Sequence, residues 1–147
     1  MPDPSAKPSE APEIPPTSDP AIRAIAMPAD TNPHGDIFGG WLLCRMDLAG
    51  STVATRRAGG RVVTVAITAM TFHRPVMVGD EVTCFSALEK IGNTSLTVKI
   101  ESWVRRGTGD TQIKVTEGLF TYVRVGADGH PQPIAQQPDG AKKRNTG

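Results

Sequence analysis

Apolar residues in the first half of the chain recur at helical spacing over a single segment. The residues that carry this period are Leu42, Met46, Ala49 and Val53. Arg56 and Arg57 follow, at a place where positive charge suits the negative end of a helix dipole, and Gly59-Gly60 comes next as a stop signal. We therefore predict one helix over residues 40–57, apolar on most sides and closely surrounded by other elements.

From residue 61 onward the apolar period changes from helical spacing to two, which is typical of strands. Strands are predicted over residues 21–27, 61–72, 81–90, 96–105 and 113–125, between turns rich in Gly, Pro, Asn and Asp. Short connections predict that the last four strands form an antiparallel meander. The prediction is an α+β fold in which a curved antiparallel sheet of about five strands wraps one long helix. A long exposed edge of such a sheet is expected to pair with a second copy.

Composition separates the two ends of the chain from its centre. Residues 1–20 are rich in Pro, Ser, Ala and charge, and residues 131–147 are polar and end in a basic run, Lys142-Lys143-Arg144. Neither end has enough apolar surface to offset the entropy of ordering, so both are predicted to be disordered. The predicted folded domain spans residues 21–130.

Charge and hydropathy narrow the classes of partner and compartment. The net charge of +1 produces no electrostatic field that would attract nucleic acid. The basic tail is expected to be solvated rather than to bind RNA or lipid. No apolar run approaches the ~20 residues of a membrane span, and no apolar signal segment opens the chain. Cys44 and Cys84 have no metal-ligand spacing to a histidine. We expect reduced cysteines, no metal and a cytoplasmic protein.

Asp47 is the first candidate for chemistry, because it falls within the predicted helix among apolar and small neighbours. No basic residue lies three or four positions away to pair with it. A carboxylate that faces an apolar groove can serve as a base near neutral pH. The alternative is an aspartate on a solvated strip of the helix with Arg45 nearby, and the pattern alone favours this alternative.

The loop that precedes the helix combines an acid with two glycines. Asp36 either accepts backbone N–H bonds at the helix start or orients water or a substrate carbonyl. Gly39 and Gly40 place N–H groups without helical partners at the positive end of the dipole, where they can hold an oxyanion. Their alternative role is a loop conformation that needs glycine. Neither a dinucleotide-binding nor a phosphate-binding glycine motif is present.

The remaining polar candidates have weaker patterns. His34 and His73 are possible bases, although a loop or strand-end position explains each of them. No nucleophilic serine motif or Cys-His motif accompanies them. The basic residues Arg61, Arg74, Lys90 and Lys99 could meet the phosphates of a ligand, or could be ordinary charges on solvated strand faces.

Eight segments taken together resemble one known family, the YciA-like acyl-CoA thioesterases of the hotdog fold. They are Met27-Pro28-Ala29-Asp30-Thr31-Asn32, Gly35-Asp36-Ile37-Phe38-Gly39-Gly40-Trp41, Met46-Asp47, Gly60-Arg61-Val62-Val63-Thr64-Val65-Ala66, Met70-Thr71-Phe72, Pro75-Val76, Val78-Gly79-Asp80 and Phe120-Thr121. The resemblance covers roughly residues 22–125 in one register. The Pro-rich N-terminus lies outside the pattern.

The resemblance implies hydrolysis of acyl-CoA to a fatty acid and free CoA, with CoA as part of the substrate and no separate cofactor. It gives the position of Asp47 to the catalytic carboxylate and that of Asp36 to an accessory acid, usually in different subunits of a dimer. Gly39 or Gly40 would then hold the carbonyl oxygen through a backbone N–H. Family members commonly assemble as trimers of dimers.

The resemblance also places CoA along the subunit interface, with its phosphates near two loops. In this chain these correspond to the Arg74-Pro75 region and to the turn of Gly92, Asn93, Thr94 and Ser95, and we add Arg61 as a basic candidate. The turn departs from the family pattern, because Asn93 stands where a basic residue is expected and Thr94 replaces a serine.

Two other activities remain open on the same fold. A hydratase of acyl-CoA or acyl-carrier protein would pair a histidine with a carboxylate, but the residue before Gly39 is Phe38. An acyl-CoA sensor without catalysis would bind the ligand and release nothing. Assay of free CoA release separates a hydrolase from a sensor.

Overall fold

The computed structural model describes residues 13–136, which form one long helix and five strands. In chain order the elements are β1 (Ile22–Ile25), a short 3-10 helix (Pro28–Asp30), α1 (Gly39–Ala58), β2 (Val62–Phe72), β3 (Glu81–Ile91), β4 (Ser95–Arg105) and β5 (Gln112–Arg124). The predicted helix and strands are confirmed within a few residues. Gly59 ends α1 in the left-handed conformation (φ 72°), and its N–H donates to the Thr55 carbonyl.

The five strands form one antiparallel sheet in the order β1-β3-β4-β5-β2. The predicted meander is therefore wrong for β2, which pairs with β5 at the edge and does not pair with β3. Residues 73–80 connect β2 to β3 across three strand spacings, roughly 14 Å. An extended segment of that length can reach well over ~20 Å, so a short connection does not require neighbouring strands.

The core lies between α1 and the concave face of the sheet. The helix contributes Leu42, Met46, Ala49, Ala54 and Ala58, and the strands contribute a larger apolar set that includes Leu96, Val98, Ile100, Val115 and Phe120. Gly50 allows α1 to approach the sheet closely. A Cβ added there would overlap the hydroxyl of Tyr122 and come within 2.6 Å of Ile100 Cδ1. The predicted tight surroundings of the helix are confirmed.

The two edges of the sheet differ in length and exposure. β1 has four residues, whereas β2 has eleven, most of them exposed. Apolar side chains on β2 remain open to solvent, with Val65 54% and Phe72 51% exposed. Long apolar edges promote pairing with another chain. The predicted pairing of this edge with a second copy stays a prediction.

The folded domain extends beyond residue 130, so the predicted start of a disordered tail at 131 is too early. Pro131 forms an isolated bridge with Val125, and Ile134 is buried with its N–H on the Asn93 carbonyl. At the other end, residues 13–20 are described, and Pro15 and Pro16 are half-buried. The disorder predicted for residues 1–12 and 137–147 lies outside the described residues. No helix in the described part of the chain is long and apolar enough to span a membrane.

Candidate active site

Asp47 lies eight residues into α1, half-buried, with its side chain toward the edge strand β2. Its Oδ1 accepts a hydrogen bond from the Thr64 hydroxyl at 2.8 Å and lies 3.1 Å from the Tyr122 hydroxyl. The Tyr122 hydroxyl also lies 3.0 Å from the backbone carbonyl oxygen of Asp47. Two hydroxyl groups from different strands therefore orient this carboxylate.

The surroundings of Asp47 differ from the first interpretation made from the sequence. Hydroxyl donors face the carboxylate where that interpretation has an apolar groove. Arg45 does not pair with it, since its guanidinium stacks over the Trp41 ring at 5.1 Å. Burial, together with the nearby carboxylate, raises the pKa of Tyr122, which therefore stays a neutral donor. Within the described residues, Oδ2 of Asp47 accepts no hydrogen bond and can meet water or a carbonyl carbon.

The N-terminus of α1 has free backbone donors. Phe38 is the N-cap and makes no side-chain capping bond, and the N–H groups of Gly39 and Gly40 have no acceptor among residues 13–136. Asp36 is not a helix cap, so that alternative is wrong. Its amide donates to Asn32 Oδ1, and its exposed carboxylate has no hydrogen-bond partner in the described region. The donors face solvent at the positive end of the helix dipole.

A cleft of about 320 Å³ opens beside these donors. It is lined by Ile37, Phe38, Gly39, Leu42, Phe72, His73, Arg74, Pro75 and Val76. Leu42 and Val76 are buried, whereas His73 and Arg74 add basic groups. An apolar cleft with basic residues in its wall suits a ligand that joins an aliphatic part to an anionic part.

The two basic side chains of the cleft are held by β5. His73 Nε2 lies 3.1 Å from Glu117 Oε2, and Arg74 Nη1 donates to the Lys114 carbonyl at 2.6 Å. Arg74 Nη1 also lies 3.7 Å from Glu13 Oε1. The His73 and Lys114 side chains hold the pKa of Glu117 below its usual value despite partial burial. His34, the other candidate base, is on an exposed loop.

Asp47 and the helix N-terminus do not meet within one chain. Eight residues of helix separate Asp47 from Gly39, which corresponds to about 12 Å along the axis. Gly39 lies against Phe72 at the far end of β2, whereas Asp47 contacts Thr64 near its start. One thioester group is too small to touch both places in a single chain.

The predicted CoA-binding residues fall into two separate places. Arg61 and the turn of Gly92–Ser95 come together at the end of β5, where Val125 N–H donates to the Arg61 carbonyl and Arg124 N–H to the Thr94 carbonyl, each at 2.9 Å. Arg74 lies by Lys114 at the start of β5, ten residues earlier and roughly 30 Å away.

The turn itself is well defined by local bonds. Gly92 N–H donates to the Ser95 carbonyl at 2.7 Å, and the Asn93 carbonyl accepts the N–H of Ile134 at 2.8 Å. A Cβ at position 92 would lie 3.0 Å from Ser95 Oγ. Residues 131–136 therefore cover one side of this turn, which the sequence did not predict.

Sequence reasoning missed Thr64 and Tyr122 as partners of Asp47. Tyr122 is the only tyrosine of the chain and lies 75 residues from Asp47. No local pattern connects positions so far apart, and only the pairing of β2 with β5 brings both hydroxyls to one carboxylate. Among residues 13–136, no group of three or more His, Cys, Asp or Glu side chains is arranged to hold a metal ion.

Comparison with known proteins points to one family. The thioesterase superfamily model matches residues 34–110. An acyl-CoA thioester hydrolase YciA from Salmonella typhimurium is 50% identical over 119 residues, 79% of this chain and 90% of that protein.

Two solved structures have the same architecture. A hexameric thioesterase from Yersinia pestis has a TM-score of 0.77 and 45% identity, and the match covers 82% of this chain and 98% of that one. A hexameric hotdog fold thioesterase of Campylobacter jejuni has a TM-score of 0.79 and 39% identity, with 86% and 97% covered. With its one helix wrapped by a five-stranded sheet, the chain belongs to the hotdog-fold thioesterase superfamily and, within it, to the YciA-like acyl-CoA thioester hydrolases.

Proposed function

We propose that this protein hydrolyses acyl-CoA thioesters to a carboxylic acid and free CoA, with Asp47 as the catalytic carboxylate. One observation carries the proposal. Thr64 and Tyr122 hold one oxygen of Asp47, while the other oxygen lies at an open sheet edge and accepts no hydrogen bond from residues 13–136. Family membership supplies the reaction class, and the geometry supports this carboxylate as its reactive group.

The complete site requires two chains paired through β2. In a regular twofold antiparallel pair, the residue numbers of any two facing residues add up to the same total. We infer a pair centred near Thr68, in which Thr64 of one copy faces Phe72 of the second copy. Because Asp47 contacts Thr64 and Gly39 lies against Phe72, Asp47 of one copy then faces Gly39 of the other. The two groups, which lie about 12 Å apart within one chain, therefore meet between two copies.

The same pairing reunites the two groups of predicted CoA-binding residues. With that register, Arg74 of one copy lies near position 62 of the other and thus beside its Arg61. The turn of Gly92–Ser95 lies at that end of the sheet as well, through its bonds to residues 124 and 125. We infer that the CoA phosphates bind between Arg74 of one copy and Arg61 with this turn of the other. Backbone N–H groups and guanidinium groups are the usual partners of phosphate.

The chemistry then has three parts. The thioester carbonyl oxygen accepts the backbone N–H of Gly39 or Gly40, which stabilises the negative charge that develops on it. Asp47 either removes a proton from water, whose oxygen adds to the carbonyl carbon, or adds directly to form an anhydride that water then cleaves. The C–S bond breaks, and CoA leaves as a thiolate. Since a thiol has a pKa near ~8.5, the leaving group needs no strong general acid. Asp36 is proposed as an accessory acid.

Assembly and location belong to the same proposal. The Yersinia pestis and Campylobacter jejuni relatives are hexameric. We infer a dimer through β2 as the smallest active unit, and a trimer of such dimers as the complete protein. The two cysteines are unpaired, which is consistent with the cytoplasmic location expected for this chain.

The test is replacement of the catalytic carboxylate. Asp47→Asn and Asp47→Ala should lower kcat by about 10² to 10⁴, measured as CoA released from acyl-CoAs of several chain lengths with a thiol reagent. Asp110→Asn, in the exposed loop between β4 and β5, is the matched control. The exposed Cys44 also consumes reagent, so a baseline without substrate is subtracted. Full turnover by Asp47→Asn would contradict the proposal, and tight binding without CoA release by the unaltered protein would indicate a sensor.

A further inference from the structure

A buried carboxylate outside the proposed chemistry lies at the end of the loop that connects β2 to β3. Asp80 is 0% exposed and has charge-assisted partners on both oxygens. Arg106 donates from Nε to Oδ1 at 2.7 Å and from Nη2 to Oδ2 at 2.8 Å, a bidentate pair. Oδ2 also accepts the N–H of Met77 at 2.7 Å. A buried carboxylate is stable only when such partners satisfy it.

This ion pair ties the segment that contributes to the cleft wall to the end of β4. Arg106 follows β4, whereas Asp80 ends the segment of residues 73–80 that begins with His73, Arg74, Pro75 and Val76 of the cleft. The Arg106 Nη2 group also approaches the Pro75 carbonyl at 3.4 Å. One guanidinium therefore contacts both the start and the end of the segment.

The first two residues of the segment are anchored on β5, where the His73 and Arg74 N–H groups donate to the Val115 carbonyl at 2.7 and 3.3 Å, and Val76 is buried. The residues after Val76 have fewer such contacts. Met77 is 44% and Val78 is 45% exposed, and Gly79 has a positive φ of 92°. The backbone bonds from Gly79 N–H to the Ala26 carbonyl and from Ala26 N–H to the Asp80 carbonyl anchor only its last part. If Arg106 were lost, the buried carboxylate would have to reach water, and residues 75–80, which directly follow Arg74, would move with it.

We propose that Asp80 and Arg106 are positioning residues that set the place of Arg74 in the cleft, and so the affinity for the phosphates of CoA. This inference rests on the proposed function, because it needs Arg74 as a phosphate ligand. Neither residue touches the reacting atoms. The fork geometry of arginine is required, because a lysine offers a point charge without two parallel donors.

The experiment compares Arg106→Gln, Arg106→Lys and Asp80→Asn with Arg105→Gln. Arg105 is the neighbouring control, since its Nε donates to Glu81 Oε1 at 2.8 Å and it makes no hydrogen bond to residues 73–80. The substrates are butyryl-CoA and butyryl-pantetheine, which carries the same thioester without the nucleotide and its phosphates. Each variant is assayed well below its own melting temperature.

For the three test variants, KM for butyryl-CoA should rise about tenfold, by the loss of a charge-assisted bond. In each of them kcat and the KM for butyryl-pantetheine should stay close to the wild-type values. With Arg105→Gln, kcat and KM should stay close to the wild-type values for both substrates. The Asp80→Asn variant separates positioning from direct contact, because Arg106 keeps its charge there.

Four outcomes would overturn the inference. They are an unchanged KM for butyryl-CoA in Arg106→Gln, an equal rise for both substrates, a wild-type KM in Asp80→Asn, or full recovery in Arg106→Lys. A wild-type protein that hydrolyses neither substrate would instead remove the proposed function and this inference with it.

Discussion

At the scale of single residues, the hydroxyl groups around Asp47 are the feature that separates this carboxylate from an ordinary helix aspartate. We expect Thr64→Val and Tyr122→Phe each to lower kcat by about tenfold, because each removes a hydrogen bond to a charged group. Steady-state turnover of an acyl-CoA measures the effect. Thr97→Val, on β4 opposite Thr121, removes a hydroxyl that makes no hydrogen bond to Asp47 and should leave kcat unchanged. Wild-type kcat in both test variants would show that neither bond orients the carboxylate.

The buried Cys84 supports a prediction about thiol chemistry and pH. Burial raises the pKa of its thiol to about 11, although the Ser102 hydroxyl at 3.3 Å opposes this shift. An unfolded chain releases the proton near ~8.5, so the contribution of the neutral thiol to stability is complete below that pH and is lost as the pH rises to about 11. At pH 8 the native protein should therefore react with a thiol reagent at Cys44 at most. Reaction of both thiols without denaturant would contradict this.

At the scale of elements, the contact between α1 and the sheet depends on one glycine. Gly50→Ala would normally favour a helix by up to ~1 kcal/mol. Here the added methyl group overlaps Tyr122 and Ile100, so we expect a net loss of about 1–3 kcal/mol in the free energy of unfolding. Denaturant titration measures this change. The control is Gly40→Ala, where no atom lies within 4 Å of the new Cβ and stability should not fall.

The elements themselves follow from the pattern of apolar residues, and their order in the sheet does not. The change of period from helical to two after Gly59 marks the end of α1 and the start of β2. By contrast, the step from β2 to β3 passes to another part of the sheet through residues 73–80. A connection of that length permits either arrangement, so sequence pattern alone chose the wrong neighbour for β2.

At the scale of the whole molecule, pairing of two copies through β2 makes a testable claim about register. In the proposed pair Thr68 of one copy faces Thr68 of the other, so Thr68→Glu and Thr68→Lys each place like charges together. Each variant alone should shift to smaller species in sedimentation velocity and lose most of its turnover. An equal mixture of the two should regain both, because opposite charges then face each other. Full activity of either variant as a monomer would exclude a site shared between two chains.

By itself, the sequence determined the long helix, the strand bounds, the glycine stop at position 59 and the likeness to hotdog thioesterases. The helix and the strands follow from the local spacing of apolar residues, and the likeness follows from motifs that occur in the same order along the chain. Only the tertiary structure placed Thr64 and Tyr122 at Asp47, kept Arg74 apart from Arg61, and joined Asp80 to Arg106. These placements arise because strand pairing and the connections between strands bring together residues, or keep them apart, at positions distant in the sequence. The spacing of apolar residues does not record which strands pair.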